Sequence, residues 1–184
     1  MKNKAIFIDR DGTININTHY ISDPEDFVMY EGVGKGVRIL QDKGYLIIVV
    51  TNQSGIARGY FTEEDLKNVH QRMEDEFAEF GVRLDGIYYC PHHPEDRCQC
   101  RKPNTALFEE AIKGHDIDTS MSFMIGDKEL DIVAGKKIGL KTILVPERHE
   151  RESLINNIKE WQYLPDYIAD NFLDAIEWII INEQ

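Results

Sequence analysis

Two clusters in this 184-residue chain carry donor groups at spacings that suit chemistry. The first is Asp9-Arg10-Asp11-Gly12-Thr13, directly after the apolar run 5–8. Two carboxylates two residues apart, leaving a strand, can point to one side, and Gly12 lets the backbone turn sharply after them. Such a pair repels itself unless something positive lies beside it, and a hard divalent cation with oxygen ligands meets that need. Arg10, between them, should face the other way and is assigned no catalytic role. The second cluster is Cys90-Pro91-His92-His93-Pro94, leading to Cys98-Gln99-Cys100. In extended chain, residues i and i+2 face one way. This pairs Cys90 with His92 and Cys98 with Cys100, and it turns His93 away. Cys₃His fills all four positions of a zinc shell, so the zinc is expected to be structural. All 3 cysteines of the chain lie here; an odd count makes no disulfide framework and suits a reducing compartment.

The elements that must position these residues alternate. Short apolar runs at 5–8, 45–50, 86–89, 122–125 and 142–145 read as strands, three of them apolar throughout, as in parallel strands covered on both faces. Between them lie helix-period segments. Val33, Val37 and Leu40 share a face, with Gly44 as a stop. Leu66, Val69, Met73, Phe77 and Phe80 form a stripe that Thr62 caps and Gly81 ends. Asn104 reads as the cap of a helix through Ala111. Another helix runs from Lys128 to near Gly139, and Asp170 or Asn171 opens a last one through Ile181. This order predicts an α/β fold: a doubly wound, mostly parallel Rossmann-like sheet without a large cap. It forms one domain over 1–184, with a zinc loop at 90–100 and a C-terminal helical segment at about 150–184. Ligands of such sheets bind beyond the carboxyl ends of the strands, where Asp9 and Asp11 stand. The stretches 10–32 and 91–103 are too long for plain turns and are expected to be functional.

The motifs fall in a familiar order. Asp9-Arg10-Asp11-Gly12-Thr13 follows the first strand and Thr51-Asn52 closes the second. Lys102 precedes a helix, and Gly126-Asp127 with Asp131 closes the fourth strand. The set resembles the haloacid dehalogenase superfamily of phosphohydrolases. The resemblance implies that Asp9 is the nucleophile and forms an aspartyl-phosphate, and that Asp11 is acid and then base. Thr51 and Lys102 would bind the transferring phosphoryl oxygens. Mg²⁺ would be held by Asp9, the backbone carbonyl of Asp11, and Asp127. Lys128 would add charge beside Asp127, and Asp131 would brace the metal site. With Thr51-Asn52-Gln53-Ser54-Gly55-Ile56-Ala57-Arg58-Gly59-Tyr60, the Cys-x-His…Cys-x-Cys-Arg-Lys-Pro arrangement looks like one branch of that superfamily. The branch holds the heptose bisphosphate phosphatases and related histidinol-phosphatases. It implies loss of the 7-phosphate from heptose 1,7-bisphosphate in nucleotide-activated heptose synthesis, with histidinol phosphate as the alternative substrate. Family members touch substrate through segments matching Asn17, Thr18, His19 and Tyr20, and specificity is also expected from Asn52, Gln53 and Ser54. Arg58 and Arg101 are candidates for a second, non-reacting phosphate, because Arg reads phosphate bidentately.

Composition excludes other classes. Lys+Arg is 21 against 33 Asp+Glu, a net charge of −12. That opposes a zinc-bearing nucleic-acid module, since polyanions want a basic face. A phospho-accepting receiver domain would carry its acceptor Asp on a middle strand and would need no Cys₃His loop. The longest apolar run, 45–50, falls far short of the roughly 20 residues of a membrane span. The first ten residues read as a strand rather than a signal peptide. The expectation is a cytoplasmic monomer whose partner is a small phosphorylated substrate.

Overall fold

The computed structural model describes residues 2–183. Six strands form one sheet: β1 (Ala5–Ile8), β2 (Leu46–Asn52), β3 (Gly86–Cys90), β4 (Phe123–Gly126), β5 (Lys141–Leu144) and β6 (Tyr167–Ile168). Their order is β3-β2-β1-β4-β5-β6, and every pairing is parallel. The strand order reverses between β1 and β4, the switch point at which such sheets open a ligand crevice. No large cap domain interrupts the described residues. No helix among the described residues is long and apolar enough to cross a membrane.

The unbroken apolar strands follow from burial on both faces. Ile6 and Ile8 of β1 join one core with Val37, Leu40, Ile47, Phe77 and Ile176. Ala5 and Phe7 join the other with Ile48, Val50, Phe108, Met124 and Ala134. The first core lies under α1 (Val33–Asp42), α2 (Glu63–Glu79) and the last helix, Phe172–Ile181. The second lies under α3 (Ala106–Gly114) and α4 (Glu129–Lys137). Thr62 caps α2 in a full capping box with Asp65. Phe80, read as part of its buried stripe, is instead the C-cap and is 40% exposed.

Two further expectations are corrected, the start of α3 and the wholly helical reading of the C-terminal segment. α3 starts after Thr105, not Asn104, because the Asn104 amide donates to the Cys98 carbonyl at 2.8 Å. Beyond residue 146 the chain forms α5 (Arg151–Asn157) and the two-residue β6, neither of which has a readable period. Phe172–Ile181 is thus α6, capped by Asn171.

Gly126, the last residue of β4, lets the sheet approach α4 closely. A β-carbon there would stand 2.3 Å from Asp131 Cβ. Asp131 cannot swing aside freely, since its carboxylate accepts from Lys102 Nζ at 2.7 Å and from the Lys128 backbone N–H at 3.2 Å. Gly126→Ala is therefore expected to cost about 1–3 kcal/mol, a fall in Tm of about 2–12 °C. Thermal unfolding measures this; a Tm within a degree of the wild type would refute the close-approach argument.

Candidate active site

β1 ends at Ile8, and the Asp9 N–H still bonds to the Ile125 carbonyl of β4. The Asp9 carboxylate thereby stands over the β1/β4 opening. Beyond it the chain curls: the Arg10 carbonyl accepts from the N–H groups of Thr13, Ile14 and Asn15. Gly12 holds φ +89° in this turn, and a β-carbon there would meet Asp127 Oδ2 at 2.5 Å and Glu147 Oε1 at 2.6 Å. Only glycine fits the conformation and the space.

Lys102 arrives from the loop before α3. Its backbone N–H donates to Asn52 Oδ1 at 3.0 Å, and Asn52 Nδ2 donates back to its carbonyl at 3.2 Å. Its buried ammonium bonds to Asp9 Oδ1 at 2.5 Å, to Asp131 Oδ1 at 2.7 Å and to the Val50 carbonyl at 2.7 Å. Burial opposes that charge, yet the two carboxylates outweigh it and hold the Lys102 pKa above its ordinary value. Burial pushes Asp9 up to about 6 despite Lys102. Burial likewise pushes Asp127 far up, with Asp9 and Asp131 adding repulsion. Asp11 goes the other way: burial alone would raise it, but Arg10 charge and hydrogen bonds from Arg10, Gln53 and Asn15 lower it.

Donor atoms of Asp9, Asp127 and Asp131 lie within 4.8 Å of one another. Both Asp127 carboxylate oxygens are buried without a hydrogen-bond partner, and Lys128 Nζ stands 3.6 Å from Oδ2. Unpartnered buried carboxylate oxygens are costly, and oxygen donors alone suit a hard cation. The residues present therefore fit Mg²⁺.

The structure also gathers Cys90, His92, Cys98 and Cys100, with all four donor atoms within 4.8 Å. Cys100 Sγ is 3.1 Å from both Cys90 Sγ and His92 Nδ1, and 3.4 Å from Cys98 Sγ. These sulfurs are free thiols, grouped as a four-coordinate thiolate and imidazole shell requires. His93 is elsewhere: its Nδ1 accepts from the Glu95 N–H and caps the turn Pro94–Asp96.

Two adjoining cavities of about 160 and 170 Å³ form the cleft. Asp9, Thr51, Arg101, Lys102 and Asp131 line the first; Asn17, His19, Tyr20, Gln53 and Ser54 line the second; Asp11, Asn52 and Lys128 line both. Thr18 and Arg58 are exposed and line neither, since Arg58 sits on the turn whose N–H bonds back to the Ser54 carbonyl.

Two residues escape the sequence reading. Arg10 does not face away; its side chain is 1% exposed and folds onto Asp11. Glu147 lies beside Gly12 with a side chain only 7% exposed. Together with burial and Asp127, it pushes the Tyr30 phenol up to about 12. Its one sequence signal is its place just past the carboxyl end of β5.

Comparison with known proteins completes the picture. A family model described as "HAD-hyrolase-like" matches residues 99–175. The D-glycero-beta-D-manno-heptose-1,7-bisphosphate 7-phosphatase of Haemophilus ducreyi is 50% identical over 149 residues, covering 77% of this chain and 82% of its own. The D-glycero-D-manno-heptose-1,7-bisphosphate 7-phosphatase of Chlorobaculum tepidum is 38% identical, covering 98% of this chain and 96% of its own. Among solved structures, the D,D-heptose 1,7-bisphosphate phosphatase of B. bronchiseptica, complexed with magnesium and phosphate, superposes with a TM-score of 0.87. It is 27% identical and covers 97% of this chain and 99% of its own. The chain belongs to the haloacid dehalogenase-like phosphatases, in the family of the heptose-1,7-bisphosphate 7-phosphatases.

Proposed function

We propose that this chain removes the 7-phosphate of D-glycero-D-manno-heptose 1,7-bisphosphate through an aspartyl-phosphate on Asp9. The observation that carries this reading is the convergence of Asp9, Asp11, Thr51 and Lys102 on one cleft at the sheet's switch point. An Asp9 carboxylate oxygen attacks phosphorus, and the bond from phosphorus to the sugar oxygen breaks. Asp11 gives that oxygen a proton, then takes one from the water that attacks the aspartyl-phosphate. The Asp9–phosphorus bond breaks in turn, releasing phosphate and restoring Asp9. Thr51 and Lys102 orient the phosphoryl oxygens, and Asp131 holds Lys102 in place. Mg²⁺, held by Asp9, the Asp11 carbonyl and Asp127, would supply charge to the transferring phosphoryl group. Lys128 adds a second positive group beside it. Asn17, His19, Tyr20, Asn52, Gln53 and Ser54 form the wall for the sugar. The proposal includes a structural Zn²⁺ on Cys90, His92, Cys98 and Cys100. The enzyme acts as a cytoplasmic monomer; the free thiols of a metal-ready cluster support a reducing compartment.

Asp9→Asn keeps the shape and removes the attacking charge. Turnover should fall at least about a thousandfold, ~4 kcal/mol of barrier; near-normal turnover would remove Asp9 from its role. The same variant reports on charge. In metal-free wild type, folded Asp9 titrates at about 6 against an ordinary 3.8. Its contribution to stability is thus full below about pH 4 and lost as pH rises through about 6. The Tm of Asp9→Asn measured relative to wild type, which also carries the pH-independent loss of a Lys102 partner, should rise across that window and then level off.

Elemental analysis after dialysis against Mg²⁺ buffer should find one zinc per chain. Cys98→Ser should lose it and melt earlier, since such metals contribute on the order of 10 kcal/mol to folding. His93→Ala should keep it. Zinc lost from His93→Ala but kept by His92→Ala would reverse the ligand assignment.

A bisphosphate needs a cation for its distal phosphate, and Arg101 is the candidate in the cleft. Arg101→Ala should lower kcat/KM for the bisphosphate about tenfold to a hundredfold more than for a small aryl phosphate. Arg58→Ala should have a smaller effect. Equal losses on both substrates would favour histidinol phosphate as the substrate.

A further inference from the structure

The buried Arg10 guanidinium has no task in the mechanism above, yet it is committed to one catalytic group. Its Nη2 donates to Asp11 Oδ1 at 2.9 Å and to Oδ2 at 2.8 Å, and its Nε donates to Oδ1 at 3.2 Å. Two amides complete the hold: Gln53 Nε2 donates to Oδ2 at 2.8 Å, and Asn15 Nδ2 to Oδ1 at 3.2 Å. Gln53 is anchored in turn, its Nε2 also reaching Thr51 Oγ1 at 2.8 Å and its Oε1 standing 3.4 Å from Arg10 Nη2. Burial, with the Arg10 charge adding to it, pushes His70 of α2 down to about 3, so this ring adds no second charge. A bidentate guanidinium fixes the plane of a carboxylate as well as its place. Asp11 lines both cavities of the cleft and Gln53 the second, while Arg10 and Asn15 line neither.

We propose that Arg10 is a positioning residue for Asp11: with Gln53 and Asn15 it holds the carboxyl group in the orientation from which the leaving oxygen takes its proton. This rests on the reading of Asp11 as the acid, whose proton the same donors make easier to give up. When the phosphorus–oxygen bond breaks, an alkoxide leaving oxygen must gain a proton from the Asp11 carboxyl, whereas a nitrophenolate leaves without one. A misaimed Asp11 therefore slows sugar phosphates and spares nitrophenyl phosphate in kcat/KM, which reports steps through phosphoryl transfer to Asp9.

The test measures kcat/KM of Arg10→Met, Arg10→Lys and Asp11→Asn on a sugar phosphate and on p-nitrophenyl phosphate, with thermal unfolding as the check of folding. Arg10→Met should lose about tenfold to a hundredfold more on the sugar phosphate than on the aryl phosphate. It should add nothing to Asp11→Asn in the double variant. Arg10→Lys, which keeps the charge but not the two-pronged hold, should show the same selectivity, more weakly, and decides the matter if Arg10→Met does not fold. Equal losses on both substrates, or a further loss in the double variant, would overturn the role of Arg10. If Asp11→Asn itself shows no dependence on the leaving group, the reading of Asp11 as the acid fails instead.

Discussion

The ammonium of Lys102 is the point on which the site depends. A lysine this deeply buried is tolerable only if its charge is matched and its donors are used. Here two carboxylates and a carbonyl take them: Asp9 after β1, Asp131 on α4 and Val50 in β2. One atom thereby ties the end of β1, the last residues of β2 and the first turn of α4 together at the carboxyl edge of the sheet. Removing either carboxylate would leave a buried charge partly uncompensated, a far larger loss than a surface ion pair would suffer. The backbone around Lys102 is as constrained as its tip, through the reciprocal bonds with the Asn52 amide.

The same lysine links the two metal-ready clusters. Cys98 and Cys100 lie just before it, and the Asn104 amide reaches back to the Cys98 carbonyl. A loop whose one regular piece is the short turn Pro94–Asp96, running from residue 91 to 103, is thus pinned at both ends and in the middle. In water such a segment would lose ~1–2 kcal/mol of backbone entropy per residue on ordering. Metal ligation at four closely grouped donors would offset part of that cost, beside the packing of Cys90, Cys98 and Cys100 against the second core.

Much of this was legible in the sequence, because chemistry and element ends coincide. Asp9, Thr51 and Asp127 all lie at the carboxyl ends of apolar strands, and period-2 alternation separates His92 from His93. Alternation fails one step past the strand. Arg10 reads as outward-facing, but the turn over residues 10–15 folds Asp11 back onto it. Asn104 reads as a helix cap, a local rule, whereas its amide serves a contact six residues upstream that helix periodicity does not encode. Glu147 is a lone acid in a stretch without a motif, and β6 is too short for any period. Residues whose partners come from another element by tertiary folding, rather than by spacing, are the ones that escape.

The reversal of strand order at β1 and β4 has a consequence for how the molecule assembles. The crevice opens between two strands that meet only late in the chain: Ala5 N–H bonds to Ser122 Oγ, 117 positions away. By contrast the thiols and imidazole between residues 90 and 100 can find one another within a short loop. Chain closure over longer loops costs more entropy, and topologies rich in distant pairings fold slowly. Local order in the cysteine loop should therefore precede the joining of the two sheet halves. A partly folded or nascent chain would hold its thiols together while having no crevice at all, so hydrolytic competence marks the end of folding.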